Sequence, residues 1–420
     1  EIEKIYNGLS EEDKADRRIY LLAATVFLYD QTAKMVDLHG DLPFTEAGML
    51  SSRGGAYQQV APKYDKAEDL YTLMLDGLKT MADELNTITV KPGILTGFAT
   101  QDLINKGSLD LWKRYTNSLR LRLLTRVSLV PAFQGRANTE IAAILGNATQ
   151  YPVVTSNTEN ILIRVQDLNT DLNARGFRTG LEDWNGNIAG KKMIDHMNAN
   201  NDPRLRVLFE PGANSPGVYT GLDPLASEAQ GTDLINAGTL AIYNRSTLSR
   251  NEFFPGVLIT ASEVSFLAAE HYARAGSEGA AQTAYERGIR QSVEFYYWIR
   301  TLSNDNTAGP VAAPTQAEVD AYIASADVAW SGAGDLTQKI GRIALQKWIH
   351  FNVVQPLESW AEIRRLDAPA LVFQQDAANA QKQPPARWFY PTSEMIYNGA
   401  NYEAVKAKDN LTTRIFWDLQ

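Results

Sequence analysis

Between 65 and 85 the apolar residues Leu70, Leu73, Met74, Leu78, Met81 and Leu85 recur three and four positions apart, which predicts a helix with one apolar face. Asp65 stands where a cap is needed, Glu68 follows three residues on, and the stretch from Asn86 to Pro92 ends the element. A second stripe over 109–130 carries Trp112, Tyr115, Leu119, Leu123 and Val127 in phase, with Pro131 as its stop. Arg120, Arg122 and Arg126 lie on or beside that stripe. They are expected to pair with neighbouring carboxylates or to snorkel from the helix rim, not to grip a ligand. The apolar run over 20–29 is about half of the roughly 20 residues that a membrane span needs, so it reads as part of a buried helix.

From 150 to 259 the pattern changes to short β-prone runs such as Ile161-Leu-Ile-Arg-Val165, separated by Gly, Asn, Asp and Pro clusters. Such a loop-rich section on a helical scaffold is where binding chemistry is expected. Helix returns at 260 and resumes through 338–351 after a Gly/Pro/Asn break at 304–314. Within 260–300, Ala268, Ala269, Ala273, Ala281 and Ala284 permit close helix contact and Tyr272 and Tyr285 fill the groove. Gly276 closes the first helix, so the segment reads as a tetratricopeptide-like pair. The leading helices over 15–36 and 65–85 are candidates for further pairs.

The 420 residues, 44% hydrophobic and 21% charged, suffice for a large core and make disorder a poor reading. A net charge of −9 supplies no basic excess for a phosphate backbone, which argues against nucleic-acid binding. Cysteine is absent, which removes disulfides, Cys-ligated metal sites and thiol nucleophiles. Glu1-Ile-Glu-Lys-Ile5 has none of the regions of a signal peptide, so the expectation is a cytoplasmic protein or a mature chain without its leader.

No phosphate loop, dinucleotide fingerprint, HExxH helix or GxSxG elbow occurs. His39, His196, His271 and His350 are scattered, without the i, i+4 spacing of a metal site, so no metal or cofactor is expected. Asp183, Asn185 and Asn187, like Asn304 and Asn306, place oxygens at alternate positions as a calcium loop begins. In the first run the sixth-position Gly and twelfth-position Glu are missing, and a turn-forming role is preferred for both. Trp184, Trp330, Tyr57 and Tyr219 sit beside Gly, Asn or Ser and outside any apolar stripe. A flat ring with polar groups nearby suits a sugar, whose C–H face lies on the ring while its hydroxyls bond partners such as Arg53, Asn185 and Asn187. The competing reading for each ring is packing of a loop against the body.

His39-Gly-Asp-Leu-Pro-Phe-Thr-Glu-Ala47 resembles the GD-[VIL]-P-[YF]-x-E-A signature of SusD/RagB-type outer-membrane lipoproteins of Bacteroidetes. Further blocks are similar to that family's in order: Trp112-Lys-Arg-Tyr-Thr-Asn-Ser-Leu-Arg-Leu-Arg122, with Thr116 where Ala is usual, and Asn201-Asp-Pro-Arg-Leu205. The repeat helices at Glu263-Val-Ser-Phe-Leu-Ala-Ala-Glu270 and Ala284-Tyr-Glu-Arg-Gly-Ile289 follow. The last three are Gln346-Lys-Trp-Ile349, Glu358-Ser-Trp-Ala-Glu-Ile-Arg-Arg365 and Phe389-Tyr-Pro-Thr-Ser-Glu394.

The resemblance implies a mainly α single domain over 1–420, in which tetratricopeptide-like helix pairs scaffold a loop-rich face with a few short strands. It also implies a non-catalytic, surface-exposed lipoprotein of the outer membrane that captures a glycan and delivers it to a SusC-like TonB-dependent transporter. The family's leader and lipid-bearing Cys are not in this sequence. Capture of a peptide or other nutrient by the same lid is one alternative, and a helical glycoside hydrolase is another. The motif blocks themselves are expected to be scaffold: Pro43 fixes a turn, Trp112 faces the core, and Arg364 and Arg365 are placed to pair with acids.

Overall fold

The protein is described by a computed structural model that covers residues 2–50, 54–56, 60–375 and 384–419. Seventeen α-helices and four short strands occur among these residues. The strands form two antiparallel pairs, Ile161–Ile163 with Gly256–Ile259 and Phe209–Glu210 with Ile242–Tyr243. The architecture is mainly helical, as the periodicity predicts. The section over 150–259 is more helical than its texture suggests, since Gly176–Glu182, Lys191–Ala199 and Glu228–Ala237 are helices between its turns.

The first stripe folds as Ala67–Thr87, with Leu70, Met74, Leu78, Met81 and Leu85 all buried. Its cap differs from the expectation. Lys66 occupies the N-cap without a side-chain bond, and the Ala67 N–H donates to Asp41 Oδ1 at 3.0 Å. Asp65 instead accepts from the Phe44 and Thr45 N–H groups at 3.0 and 2.7 Å, holding the turn after Pro43. The second stripe folds as Leu109–Val127, capped by Ser108, and Pro131 then serves as the first residue of a new helix, Pro131–Gly146. The leading apolar run belongs to Glu11–His39, capped by Ser10.

Ala261–Arg274 and Glu278–Leu302 are successive helices packed on each other, with Gly276 at φ +73° between them. Gly288 permits the close approach, because a Cβ there would lie 2.6 Å from the Phe266 ring. This hairpin, with Gln316–Ile323 and Leu336–Phe351, encloses one core. The N-terminal helices enclose another, and the loop-rich section packs a third around Met193, Met197, Phe209 and Tyr296.

Arg120, Arg122 and Arg126 are fully buried and paired. Arg120 meets Glu140 at 2.5 Å, Arg122 meets Glu263 at 2.5 Å and Asp30 at 3.2 Å, and Arg126 meets Glu358 at 2.6 Å. Arg365 bonds Glu270 and Glu362 at 2.6 and 2.7 Å. Arg364 departs from the expected acid pairing: it lies 3.6 Å over the Trp360 ring and donates to the Asp37 and Ala386 carbonyls. Burial pushes its pKa down to about 10, the direction expected of a guanidinium stacked on an indole and not neutralised.

Trp112 is buried and its Nε1 donates at 2.8 Å to Asp102, which also accepts the N–H groups of Ile104, Asn105 and Gly107. Trp112→Ala is expected to lower stability by about 3–5 kcal/mol in urea denaturation. Trp348 is only half-buried against the third core, so its truncation is expected to cost less.

Candidate functional site

The sharpest local anomaly lies where Gly176–Glu182 ends in a 3-10 turn, Asp183–Asn185. Trp184 and Asn185 both adopt the left-handed region, at φ +59° and +58°, which costs an L-residue roughly 1–2 kcal/mol, less for Asn. The flanks hold the turn. Glu182 accepts from Arg250 at 2.8 and 2.9 Å and from Ser249 at 2.7 Å, and the Arg250 bond in particular holds its carboxyl down to about 2. On the far side the Asn187 carbonyl accepts from the Tyr243 N–H at 2.7 Å. Between these anchors the Trp184 side chain projects with 98% of its surface exposed. A strained backbone that presents a large apolar ring to water gains nothing for folding, and such features cluster at binding sites.

Asn185 and Asn187 follow that ring in sequence, the first on the turn and the second at the edge of the small sheet where Ile188 pairs with Ile242. Tyr219 borders the same sheet, since Gly190 pairs with Leu222, but its ring is half-buried against the third core. Burial raises its hydroxyl pKa. Trp330 is a correction to the sequence reading. Only 4% exposed, it plugs the hairpin core 5.4 Å from Tyr285, and its Nε1 donates to Glu278 at 3.1 Å. Ser331 and Gly332 supply the polar texture by completing a 3-10 turn, while the indole beneath them points inward, so Trp330 is structural. Tyr57 and Arg53 lie outside the described residues. The alternate oxygens of the second run have protein partners: Asn304 Oδ1 accepts from the Glu252 N–H at 3.2 Å and Asn306 Oδ1 from Arg300 at 2.6 Å. Among the described residues no cluster of three or more His, Asp or Glu is placed to hold a metal ion.

A second surface was not foreseen. The His39–Ala47 block and the Phe389–Glu394 block pack on each other: Tyr390 OH donates to the Asp41 carbonyl at 2.7 Å, and Tyr64 OH donates to Glu394 at 2.8 Å. They enclose a groove of about 360 Å³ lined by Leu28, Met35, His39, Phe44, Tyr64 and Tyr390 among others. Beside it Trp388, Phe389, Ile396 and Tyr397 are exposed. His39 stacks on Tyr390 at 5.9 Å, and burial with the nearby Arg387 charge pushes its pKa down, so it is neutral at pH 7. The signal that was available is the run Trp388-Phe-Tyr390, apolar yet without helical period.

The family model described as "Starch-binding associating with outer membrane", SusD-like, matches residues 1–391. The chain belongs to the SusD-like family. No curated protein sequence matches it. A chitin-binding protein of solved structure is similar at 25% identity and TM-score 0.72, over 95% of this chain and 81% of that one. A SusD homolog from Bacteroides fragilis aligns at 22% identity and TM-score 0.77, over 100% and 87%. A chitin-binding SusD homolog from Flavobacterium johnsoniae aligns at 24% and 0.73, over 98% and 82%. The SusD-like family is associated with the outer membrane. Among the described residues no helix is long and apolar enough to cross a membrane.

In this SusD-like chain the signature blocks have physical duties that are now specific. Gly40, at φ +80°, ends Glu11–His39 and leaves room for Arg387, whose Nη1 a Cβ would approach to 3.3 Å. Asp41 caps Ala67–Thr87 through one oxygen and holds Lys408 at 2.7 Å through the other. Arg204 of the Asn-Asp-Pro-Arg-Leu turn binds Asp202, Ser292, Tyr322 and Gln346 in a fully buried network.

Proposed function

We propose that this SusD-like protein captures a glycan at the cell surface, as a lipoprotein of the outer membrane, and delivers it uncleaved to a SusC-like TonB-dependent transporter. The observation that carries the reading is Trp184, a fully exposed indole on a braced, strained turn beside Asn185. An indole face offers the C–H surface of a sugar a dry contact, while the Asn185 and Asn187 amides address hydroxyls and Tyr219 borders the same surface. The family description and the chitin-binding relative at 25% identity support a carbohydrate as cargo. In this reading residues 1–420 act as one unit, the hairpin Ala261–Arg274 with Glu278–Leu302 is a tetratricopeptide-like scaffold, and Arg53 and Tyr57 are further glycan contacts.

Calorimetry with starch and chitin oligosaccharides tests the proposal. Trp184→Ala is expected to weaken binding by roughly tenfold, about 1.4 kcal/mol, with the fold intact, and the oligosaccharide is expected to be recovered unchanged. Unaltered affinity in Trp184→Ala would reject this turn as the platform, and product abolished by one carboxylate substitution would establish a hydrolase. The apolar groove beside Phe389 and Tyr397 favours a second reading, capture of a peptide or other nutrient with apolar side chains, which a peptide arm in the same titrations separates.

A further inference from the structure

The run Ile161-Leu-Ile-Arg-Val165 carries a cation that neither the scaffold nor the Trp184 turn employs. Ile161 and Leu162 are buried in the strand Ile161–Ile163, while the Arg164 guanidinium lies 4.9 Å over the Trp298 ring. Other arginines withdrawn from solvent find oxygen. Arg122, Arg126, Arg204 and Arg365 have carboxylates, and Arg300, Arg342 and Arg387 donate to carbonyls. Arg164 has neither among the described residues, and half-burial pulls its pKa below the ordinary value with no anion offsetting that cost. The nearest acids in sequence are spent elsewhere: Glu294, one turn before Trp298, accepts from Asn157, and Asp167 accepts from Asn169.

Arg164 opens onto a cleft of about 190 Å³ walled by Val165, Phe253, Pro255 and Leu302, with Gln166 at its edge. That is below the roughly 300–1,000 Å³ of a pocket for a drug-sized ligand, so it takes one ring and not a chain. Stacking on an indole leaves the guanidinium edge free, and that planar fork matches a carboxylate through two parallel N–H···O bonds. The apolar walls accept a C–H surface, and the Gln166 amide has no hydrogen bond of its own among the described residues and is free for a hydroxyl. With a net charge of −9 the protein as a whole repels anions, so attraction here is local.

We infer that Arg164 and Trp298 form a subsite for the carboxylate of an acidic sugar, a uronic acid, at an end or branch of the captured glycan. The assignment rests on the glycan reading above and narrows its cargo to acidic chains. Saturation-transfer NMR on the full chain with glucuronate, glucose and glucose 6-sulfate tests it. Glucuronate is expected to bind wild-type protein at least about tenfold better than glucose, more weakly as salt rises. Arg164→Gln is expected to abolish that preference, Arg164→Lys to restore part of it, and Trp298→Phe to reduce it, all with unchanged melting temperatures. Equal binding of glucuronate and glucose, or a preference that survives Arg164→Gln, overturns the subsite, as does binding of glucose 6-sulfate without glucuronate. Failure of the glycan reading is separable, because it shows as no response of any neutral or acidic oligosaccharide to Trp184→Ala.

Discussion

Arg122→Met is expected to lower the stability of the protein by about 3–5 kcal/mol at pH 7, a large share of the roughly 5–15 kcal/mol that holds a typical domain. Arg122 extends from Leu109–Val127 and ties three helices and a strand to it. It meets Asp30 of Glu11–His39 at 3.2 Å, Glu263 of Ala261–Arg274 at 2.5 and 2.8 Å, Glu358 of Pro356–Leu366 at 3.7 Å, and the Leu258 carbonyl at 2.5 Å. All of these groups are buried, so the methionine variant leaves carboxylates without their counter-charge where water cannot reach them. The pH dependence has a definite sign. Burial alone would raise the pKa of Glu358, but the Arg122 and Arg126 charges outweigh it and the net shift is downward. Glu362 is likewise lowered, and Glu270 is held down to about 2. Carboxylates with depressed folded-state values contribute stability that is whole above their unfolded value near 4.5 and is lost as pH falls toward the folded one. Asp37, raised by burial despite Arg126, acts in the opposite sense and offsets part of that loss. Wild type should therefore weaken between pH 4.5 and about 2, and the gap to Arg122→Met should narrow as pH falls and Glu358, whose lowered pKa rests on Arg122 and Arg126, protonates. Urea titrations across the window check this, and a pH-independent gap or a loss below about 1 kcal/mol would refute the account.

Much of this scaffold is legible in the sequence because its helices are written in local periodicity. Leu70, Met74, Leu78, Met81 and Leu85 need only their own spacing to declare a face, and the Trp112 stripe is as plain. What periodicity cannot register is pairing between distant segments. Asp65 is the cap that local sequence offers, but the Leu42–Asp65 bridge turns it back toward Thr45, and Asp41, distant in sequence, faces Ala67 in its place. Arg364 and Arg365 are adjacent and chemically identical, yet only Arg365 faces Glu270, while Arg364 falls between Trp360 and Trp417. Local polarity also misleads at Trp330, where a Ser-Gly turn sits directly over the hairpin core. At Trp184 the same kind of texture has no core beneath it, and the ring is free. The groove beside Tyr390 stayed hidden because its two walls come from opposite ends of the chain.

Arg204→Leu is the second substitution expected to cost about 3–5 kcal/mol, and it separates a charge partner from a scaffold pin. Arg204 is wholly buried. It bonds Asp202 at 2.6 Å, Ser292 at 3.0 Å, Tyr322 at 2.9 Å and Gln346 at 2.8 Å, which fastens the loop-rich section to Glu278–Leu302, Gln316–Ile323 and Leu336–Phe351. Removing the guanidinium strands Asp202, itself buried, and leaves three polar groups short of a partner. If stranding the carboxylate dominates, Asp202→Leu with Arg204→Leu will be more stable than Arg204→Leu alone, because a buried pair replaced by apolar side chains escapes the unpaired charge. If the pin dominates, the double variant will be no better, and hydrogen exchange will show faster opening of Lys191–Ala199 and the neighbouring Trp184 turn than of Leu109–Val127. Uniform opening of both regions would mean that the loop-rich section has no stability of its own. In that case the platform that presents Trp184 is only as firm as the helical body behind it.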